Sequence, residues 1–393
     1  MSMPYYRRNI YILSVTIFLA TLSWNQVVPF LPKFIKQIGG GQNLNYWIAV
    51  VFAVQSLAAI IMMPLWGKLG DTYGRKPMII RAGLCLAGVY YGMSLCQAPW
   101  HLAVCRFANG ALTGFLPGSF ALIATNTPEH EAPRYIATAQ TASSVGLIIG
   151  PMVGAVLAMR FGYRGSMVVS GTAVLISTLL VWLLVAEPNK VSVVEPTSLV
   201  QDFGIALRSR VQSSIMFVVM LSWGYGAAIS PYLILHLESL GGDAPKWLPA
   251  AIFALPAAAF VLSAYRWTST GEWWGYDRTI LVGLLGGGMG ALALFFVRDI
   301  WVFGLVYFAT GVCTAALGPS IAAVTCTRIE ESFRGRAYGI QQSAGTLGGL
   351  FAPLIAGAIA THWNRAAIFV FVGSVFLSGA LVFRGMARRW GKG

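Results

Sequence analysis

Long apolar stretches follow one another along almost the whole chain. Hydrophobic residues fill 57% of the 393 positions and charged residues only 10%, whereas a soluble domain carries about 25% charged residues. An apolar run of roughly 18 or more residues is long enough to cross a bilayer as a helix. The sequence therefore predicts an all-α, polytopic membrane protein. We predict twelve spanning helices, at residues 9–31, 46–66, 78–97, 101–124, 135–159, 164–186, 213–236, 247–267, 279–297, 301–325, 336–361 and 365–385.

The basic residues are distributed unevenly between the two predicted membrane faces. With the N-terminus in the cytoplasm, 19 of the 27 lysines and arginines fall on the cytoplasmic side, 7 on the outer side, and Arg106 alone within a span. This excess follows the positive-inside rule, so we expect both termini in the cytoplasm. The net charge of +14 then reflects topology and contact with anionic lipids rather than nucleic-acid binding.

One break in composition divides the predicted spans into six and six. Residues 187–212 carry prolines and charges, and we predict a cytoplasmic linker there, between an N-terminal bundle at 1–186 and a C-terminal bundle at 213–393. Within the linker, residues 198–208 have the pattern of a short amphipathic helix on the inner membrane surface. A mobile tether fits the same residues equally well.

An internal repeat supports this division. Residues 201 positions apart are often identical, and the identities include glycines and charged residues. Examples are Gly70 and Gly271, Gly74 and Gly275, Trp100 and Trp301, Glu129 and Glu330, and Arg164 and Arg365. Such a repeat predicts two pseudo-symmetric six-helix bundles related by an axis along the membrane normal.

A short charged segment with three glycines joins the second and third predicted spans. It reads Gly67-Lys-Leu-Gly-Asp-Thr-Tyr-Gly-Arg-Lys76. We expect a tight loop that reverses the chain at the membrane surface, because glycine permits close helix approach and positive φ. The spacing G-x-x-x-D-x-x-G-R-K resembles the loop between helices 2 and 3 of the major facilitator superfamily. An ordinary basic turn would account for Arg75 and Lys76 but not for the glycine and aspartate spacing.

In that family the loop holds the cytoplasmic side shut, and the resemblance implies the same gating role here. It implies that Asp71 caps a helix of the second bundle and that Arg75 pairs with Glu129 or Glu131; simple solvation of a charged loop is the alternative. The counterpart in the second half is weaker, because Tyr276 and Asp277 replace the two basic residues. The gating candidates in the two segments and after helix 4 are Gly67, Gly70, Asp71, Gly74, Arg75, Lys76, Glu129 and Glu272.

The predicted fifth helix carries a glycine-proline pattern. Gly146, Gly150 and Gly154 stand four residues apart, with Pro151 between them. The stretch resembles the motif characteristic of the family's exporters, so these four residues are further candidates for a conformational role. A bending hinge and a leak-proof seam between the bundles both fit the pattern, and so does ordinary packing of small residues in membrane helices.

Arg106 is the sole charged residue that we place well inside a span. The stretch Arg106-Phe-Ala-Asn-Gly110-Ala-Leu-Thr-Gly114 resembles the helix 4 signature of drug:proton antiporters of the same superfamily. A guanidinium group in hydrocarbon is costly unless it faces protein or water, so a functional role is the default. The alternative is that Arg106 lies nearer the outer end of its helix and snorkels to the headgroups.

A central cavity between the halves should be lined by polar and aromatic side chains. Buried amides and aromatic hydroxyls need partners, and a wet substrate cavity supplies them. A single Trp or Tyr, in contrast, is more often an interfacial anchor. The substrate-binding candidates are Trp24, Asn25, Gln26, Arg106, Asn109, Gln140, Trp223, Tyr225, Tyr307, Gln341 and Gln342.

The acidic residues are placed unusually for an antiporter. All 13 fall in predicted loops or at the ends of spans. Many drug:proton antiporters carry an acid on helix 1, where this chain has Asn25 and Gln26. The remaining candidates for carrying protons are Asp71, His236 and Glu238. A cavity that contains Arg106 and no buried acid would suit neutral or anionic molecules rather than cationic drugs.

These features together predict a transporter of the drug:proton antiporter type that exports an amphipathic, drug-like or anionic organic molecule by alternating access, with protons as a candidate coupling ion. An importer of an organic anion or nutrient is the alternative. The scattered histidines and cysteines give no enzyme, metal or cofactor site. We expect a small-molecule substrate and membrane lipids as partners, no nucleic acid, a monomer, and a place in the bacterial cytoplasmic (inner) membrane.

Overall fold

The computed structural model describes residues 5–112, 114–128, 131–187, 199–241, 244–245, 247–388 and 390. Every regular element within these residues is helical, which confirms the all-α prediction. The chain falls into two compact units. One takes the residues up to Trp47 and Val54–Glu195, and the other takes Ile48–Ala53 and the residues from Pro196 onward. We call them the N-terminal and the C-terminal unit; the domain bounds 1–186 and 213–393 stay a prediction.

Among the described residues, seven helices form the N-terminal unit, apart from the six residues of α3 that cluster with the other unit. Short 3₁₀ and π turns at Val28–Phe30 and Lys36–Gly40 flank α2. The helices are α1 (Tyr5–Val27), α2 (Leu31–Ile35), α3 (Leu44–Tyr73), α4 (Arg75–Ser94), α5 (Pro99–Leu112), α6 (Phe115–Asn126) and α7 (Ala132–Leu184).

Eight helices follow in the part of the C-terminal unit that the structure describes. The first of them, α8, occupies the part of the linker for which an amphipathic helix and a tether were both open, and it is helical. The helices are α8 (Leu199–Arg208), α9 (Arg210–Leu240), α10 (Leu248–Trp274), α11 (Tyr276–Phe296), α12 (Ile300–Thr314), α13 (Leu317–Arg328), α14 (Glu331–His362) and α15 (Ala367–Ala387).

Ten helical segments of the described residues are long and apolar enough to cross a membrane. One of them, Arg134–Leu184, is 51 residues long, or roughly 75 Å at 1.5 Å per residue, against a hydrocarbon core of about 30 Å. Gly162 interrupts it with non-helical dihedral angles (φ 69°, ψ 175°), so it can supply two crossings. The less apolar α4 covers the predicted third span. The twelve-span prediction is consistent with this arrangement.

The glycine-bearing segment at 67–76, which we expected to be a tight loop, is helical at every residue except Gly74. Helix α3 continues through it to Tyr73, Gly74 alone is non-helical (φ 100°), and α4 begins at Arg75. The same arrangement recurs at Gly275 (φ 101°) between α10 and α11. Charged residues are no obstacle to a helix that projects beyond the bilayer, and glycine adopts this positive φ without the penalty that a side chain incurs.

The predicted spans 101–124 and 301–325 are each interrupted. Helix α5 gives way to α6 at Gly114, whose φ of 139° is poorly accessible to other residues. Helix α12 gives way to α13 at Ala315 and Ala316. Positions 114 and 315 are 201 apart, so the interruption belongs to the repeat rather than to one half.

Side-chain hydrogen bonds follow the repeat as well. The indole Nε1 of Trp66 donates to the carbonyl oxygen of Ala111 at 2.6 Å, and that of Trp267 donates to the carbonyl of Val312 at 2.7 Å. All four residues keep the offset of 201. The last carbonyls of a helix lack intrahelical partners, and each indole supplies one just before the helix break. The two units are thus built alike in detail.

Replacing either tryptophan by phenylalanine is expected to destabilise the protein by about 1–3 kcal/mol, because a partly buried carbonyl would lose its donor. The thermal unfolding of the purified protein in detergent measures the effect for Trp66→Phe and Trp267→Phe. Trp182→Phe, at an exposed position of α7, is the matched control. Equal stability of all three variants would show that the indole bonds contribute nothing to the helix breaks.

Each unit has its own apolar core. In the N-terminal unit, Leu13 and Ile17 of α1 pack in one cluster with Ile79 of α4, Leu122 of α6 and Val181 of α7. In the C-terminal unit, the corresponding cluster joins α9, α11, α13 and α15. These buried clusters hold the helices that present the functional side chains described next.

Candidate functional site

Glu187 holds the start of α4 in place. Its Oε1 accepts a hydrogen bond from the backbone N–H of Arg75 at 2.7 Å, and its Oε2 accepts one from the N–H of Lys76 at 2.9 Å. A carboxylate is stabilising at a helix N-terminus, because the exposed amides carry partial positive charge. In the second half Asp277, in the first turn of α11, supplies a carboxylate locally. Glu187 was not among the candidates predicted from the sequence. Its position directly after the sixth predicted span was the only feature that could have indicated a role.

Glu131, one of the two acids after the fourth predicted span, contacts two residues of α1. Glu131 accepts a hydrogen bond from the Tyr6 hydroxyl at 3.3 Å and lies 3.6 Å from a guanidinium nitrogen of Arg7. Glu129 lies outside the described residues. Gly67 and Asp71 lie on α3, and the surroundings of their side chains also lie outside what the structure describes. The predicted pairing of Arg75 stays a prediction.

Arg81 is a basic residue on α4 that was not among the functional candidates predicted from the sequence. Its guanidinium carbon lies 3.4 Å from the centroid of the Trp66 ring, within the range of a cation–π interaction. Trp66 in turn bonds to Ala111 at the end of α5. This series of contacts from α4 through α3 to α5 therefore ends next to the helix break at Gly114. The repeat-related residue of Arg81 is Val282, so this chain of contacts is peculiar to the first half.

Arg106 is buried in the N-terminal unit. It lies on α5, seven residues from its first residue, and only 3% of it is exposed. Its guanidinium carbon lies 5.1 Å from the centroid of the Trp24 ring on α1. A side chain that snorkels keeps its charged head in water, and this burial does not fit that alternative.

Two buried polar side chains accompany Arg106. Asn109 stands three residues further on α5 and therefore on the same helix face; it is 1% exposed, and neither atom of its amide has a hydrogen-bond partner among the described residues. The hydroxyl of Tyr90, on α4, is buried without a partner there and lies within electrostatic range of Arg106. We call Trp24, Tyr90, Arg106 and Asn109 the Arg106 cluster. Unsatisfied buried polar groups cost about 1–3 kcal/mol each, which a bound ligand could recover.

The C-terminal unit has phenols where the Arg106 cluster has its cation and indole. Adding 201 to Trp24 and Arg106 leads to Tyr225 and Tyr307. Tyr225 packs on the ring of Phe376, with centroids 4.6 Å apart, and its hydroxyl is buried without a partner among the described residues. Tyr307 is buried and lies within electrostatic range of Tyr225. The two halves therefore differ in charge at equivalent positions.

Three predicted binding amides bond within their own unit. Gln26 donates to the Ser166 carbonyl at 3.4 Å and to the Ser170 hydroxyl. Asn25 donates to the carbonyl of Thr21, one turn earlier, at 2.9 Å. Gln341 donates to Gln212 Oε1 at 3.3 Å and Thr325 Oγ1 at 3.0 Å. The bonds of Gln26 and Gln341 tie helices together, whereas the bond of Asn25 stays within α1. Three other candidates have exposed side chains: Gln140, Trp223 and Gln342.

The glycines of the fifth predicted span lie against α1. A Cβ atom on Gly146 would stand 2.8 Å from the carbonyl oxygen of Phe18, and one on Gly154 would stand 2.2 Å from that of Gln26. A Cβ atom on Gly150 would stand 2.7 Å from the Cβ of Asn25. In α7 non-helical dihedral angles occur at Gly162 and not at Pro151. In this structure the motif is therefore a close seam between α7 and α1 of one unit.

The described carboxylates lie at helix ends or between helices, as the sequence predicted. Asp299 accepts bonds from the N–H groups of Trp301 and Val302 and caps α12. Glu238 and Glu272 are exposed and lie in the last turns of α9 and α10. His236 is 6% exposed and packs against the rings of Phe303 and Phe369.

Helices long and apolar enough to cross a membrane, a repeat that extends to single hydrogen bonds, and a buried cation next to an indole fit a membrane transporter. The profile of the Major Facilitator Superfamily matches residues 13–304 and 250–390, and the chain belongs to this family.

Two relatives and one solved structure are similar to this chain over nearly its whole length. It is 29% identical over 390 residues to the multidrug resistance protein MdtG of Salmonella typhimurium, which covers 98% of this chain and 96% of the relative. It is 28% identical over 389 residues to MdtG of Enterobacter lignolyticus, with coverage of 98% and 93%. The crystal structure of the nucleoside transporter NupG, as its D323A mutant, aligns with a TM-score of 0.82 at 13% identity, covering 96% of this chain and 99% of that one. This last likeness concerns the fold alone.

Proposed function

We propose that this transporter exports amphipathic, drug-like or anionic organic molecules by alternating access. The observation that carries the proposal is the Arg106 cluster, in which a buried guanidinium lies 5.1 Å from an indole ring. A buried cation favours a ligand with negative charge, and a tryptophan face favours an aromatic or apolar body. The favoured substrate is therefore an aromatic molecule with a carboxylate, sulfonate or phosphate group.

The direction of transport is proposed from two similarities. The relatives named above, which align with nearly the whole chain, are multidrug resistance proteins, and the seam formed by Gly146, Gly150 and Gly154 resembles the motif of the family's exporters. The glycine-bearing segment around Gly74 is proposed to close the cytoplasmic side, with Glu187 fixing the start of α4. In this account both termini lie in the cytoplasm.

Inverted membrane vesicles test the direction. Vesicles that contain the protein are expected to accumulate an anionic aromatic dye several-fold above vesicles without it, because export from a cell becomes uptake into an inverted vesicle. Deletion of the protein should correspondingly raise dye accumulation in cells. Uptake that occurs only in right-side-out vesicles would contradict export and favour the importer of organic anions.

Coupling to protons is the second part of the proposal. The candidate carriers are Asp71, His236 and Glu238, because no described carboxylate lies in the middle of a helix. Uptake into inverted vesicles is expected to fall when the pH gradient is dissipated, and D71N, H236Q or E238Q should remove that dependence. Uptake that ignores the gradient in the wild type would show that protons do not drive transport.

A further inference from the structure

A cavity of about 600 Å³ lies within the C-terminal unit. It is next to the last residues of α9, the last residues of α11 and the residues just before α15. Its size is within the range of small-molecule sites. Among the described residues that line it there is no carboxylate. The lining residues are His236, Ser239, Leu240, Phe295, Arg298, Asn364, Arg365 and Ala366.

The basic groups of this cavity have open hydrogen-bonding capacity. Within the described part of the chain, the side chains of Arg298 and Arg365 make no hydrogen bond or ion pair, and the Nε of Arg365 is buried without a partner. The Nε2 of His236 is also buried without a partner there. Both guanidinium groups lie within electrostatic range of His236. A buried donor without an acceptor is costly, so this arrangement favours a ligand that accepts several hydrogen bonds.

The repeat provides an internal comparison for Arg365. Its equivalent in the N-terminal unit, Arg164, donates to the carbonyl oxygens of Ser94 at 3.1 Å and Cys96 at 2.7 Å. An arginine at this position can therefore be satisfied by the backbone alone. In the C-terminal unit the same residue leaves its donors open and lines a cavity instead.

The positions near Arg365 carry more basic or titratable side chains than the equivalent positions near Arg164. The positions equivalent to His236 and Arg298 are Ile35 and Gln97 in the first half, so two basic or titratable groups have been added in the second half only. Arg298 and Arg365 are also two of the 7 basic residues on the face that the charge distribution predicts to be outside. Their proximity on a face with few cations is not explained by the positive-inside rule.

We propose that Arg298, Arg365 and His236 form a binding site for a phosphate group, separate from the Arg106 cluster. Guanidinium groups bind phosphate with paired N–H donors, and they do so most strongly where water is partly excluded. His236 is positioned by Phe303 and Phe369 and lines the same cavity. The phosphate belongs to the headgroup of an anionic phospholipid or to a free inorganic anion.

The thermal unfolding midpoint of the purified full-length protein tests the site, because a ligand that binds the folded state raises it. The probes are inorganic phosphate and dihexanoylphosphatidylglycerol, compared with chloride at equal ionic strength and with dihexanoylphosphatidylcholine. We expect a rise in the wild type, and an apparent affinity lower by about tenfold or more in R298Q/R365Q, since each charged hydrogen bond contributes on this order. R298Q alone serves if the double variant does not fold, because Arg298 is exposed.

Arg160→Gln is the matched control, since Arg160 is exposed on α7 and predicted on the same face; its response should equal that of the wild type. A response to phosphatidylglycerol alone identifies a lipid headgroup, and a response to inorganic phosphate identifies a free anion. No rise above chloride and phosphatidylcholine in the wild type, or an undiminished rise in the arginine variants, would overturn the proposal.

Discussion

Arg106→Ala is expected to abolish transport while leaving the protein folded. The guanidinium is buried against Trp24 and would bind the negative group of the substrate. Removing one partner of a buried, hydrogen-bonded charge pair costs about 2–5 kcal/mol, which corresponds to a loss of roughly 30-fold to 4,000-fold in affinity at 1.4 kcal/mol per factor of ten. Stability should not suffer comparably, since the variant also removes the cost of burying a charge.

The measurement is the initial rate of dye uptake into inverted vesicles, with the amount of folded protein determined by size-exclusion chromatography in detergent. Arg160→Ala, at an exposed arginine of α7, is the control and should transport normally. Full activity of Arg106→Ala would remove Arg106 from the mechanism.

Gly154→Ala is expected to cause the second-largest effect, through packing. The added Cβ would stand 2.2 Å from the carbonyl oxygen of Gln26 and 2.9 Å from its carbonyl carbon, so α7 and α1 must move apart. Overpacking of a close interface typically costs about 1–3 kcal/mol, and here the opposing atoms are backbone that cannot change rotamer. Transport should fall with stability, because α1 carries Trp24 of the Arg106 cluster.

Gly88→Ala is the matched control for this variant. Gly88 lies on α4, and a Cβ atom there would meet nothing within 4 Å. Since alanine favours a helix over glycine by about 1 kcal/mol, Gly88→Ala should be neutral or slightly stabilising. Thermal unfolding of both variants in detergent provides the comparison. If Gly154→Ala were as stable as Gly88→Ala, the seam between α7 and α1 would not be a tight one.

The helices and the equivalent glycines of the two halves could be predicted from the sequence, because they depend on local hydropathy and on the internal repeat. A membrane-spanning helix needs only a long apolar run, and most of the predicted spans coincide with helices of the structure to within a few residues. The offset of 201 placed Gly74 and Gly275 at equivalent points, and the structure gives them the same positive φ. The last helical turns of α3, which end at Tyr73, were not predicted. A helical segment that carries charged residues outside the bilayer has no apolar run by which hydropathy could reveal it.

The parts of the site that sequence missed depend on contacts between distant residues. Glu187 reaches the amides of Arg75 and Lys76 across more than a hundred positions, and no local pattern encodes that contact. Tyr90 has an ordinary place in an apolar run, and only its depth beside Arg106 makes it a member of the cluster. Conversely, the amides of Gln26 and Gln341 looked like ligand groups in sequence, but they bond to neighbouring helices.

The most direct test of the account compares two substrates that differ only in charge: an aromatic sulfonate dye and the matching uncharged sulfonamide, in inverted vesicles with wild-type protein and with R106Q. The account predicts that the wild type transports the sulfonate at least about tenfold faster, which is the discrimination expected from one charged hydrogen bond, and that R106Q loses this preference. Equal transport of both dyes by the wild type, or an unchanged preference in R106Q, would contradict the claim that Arg106 binds the substrate.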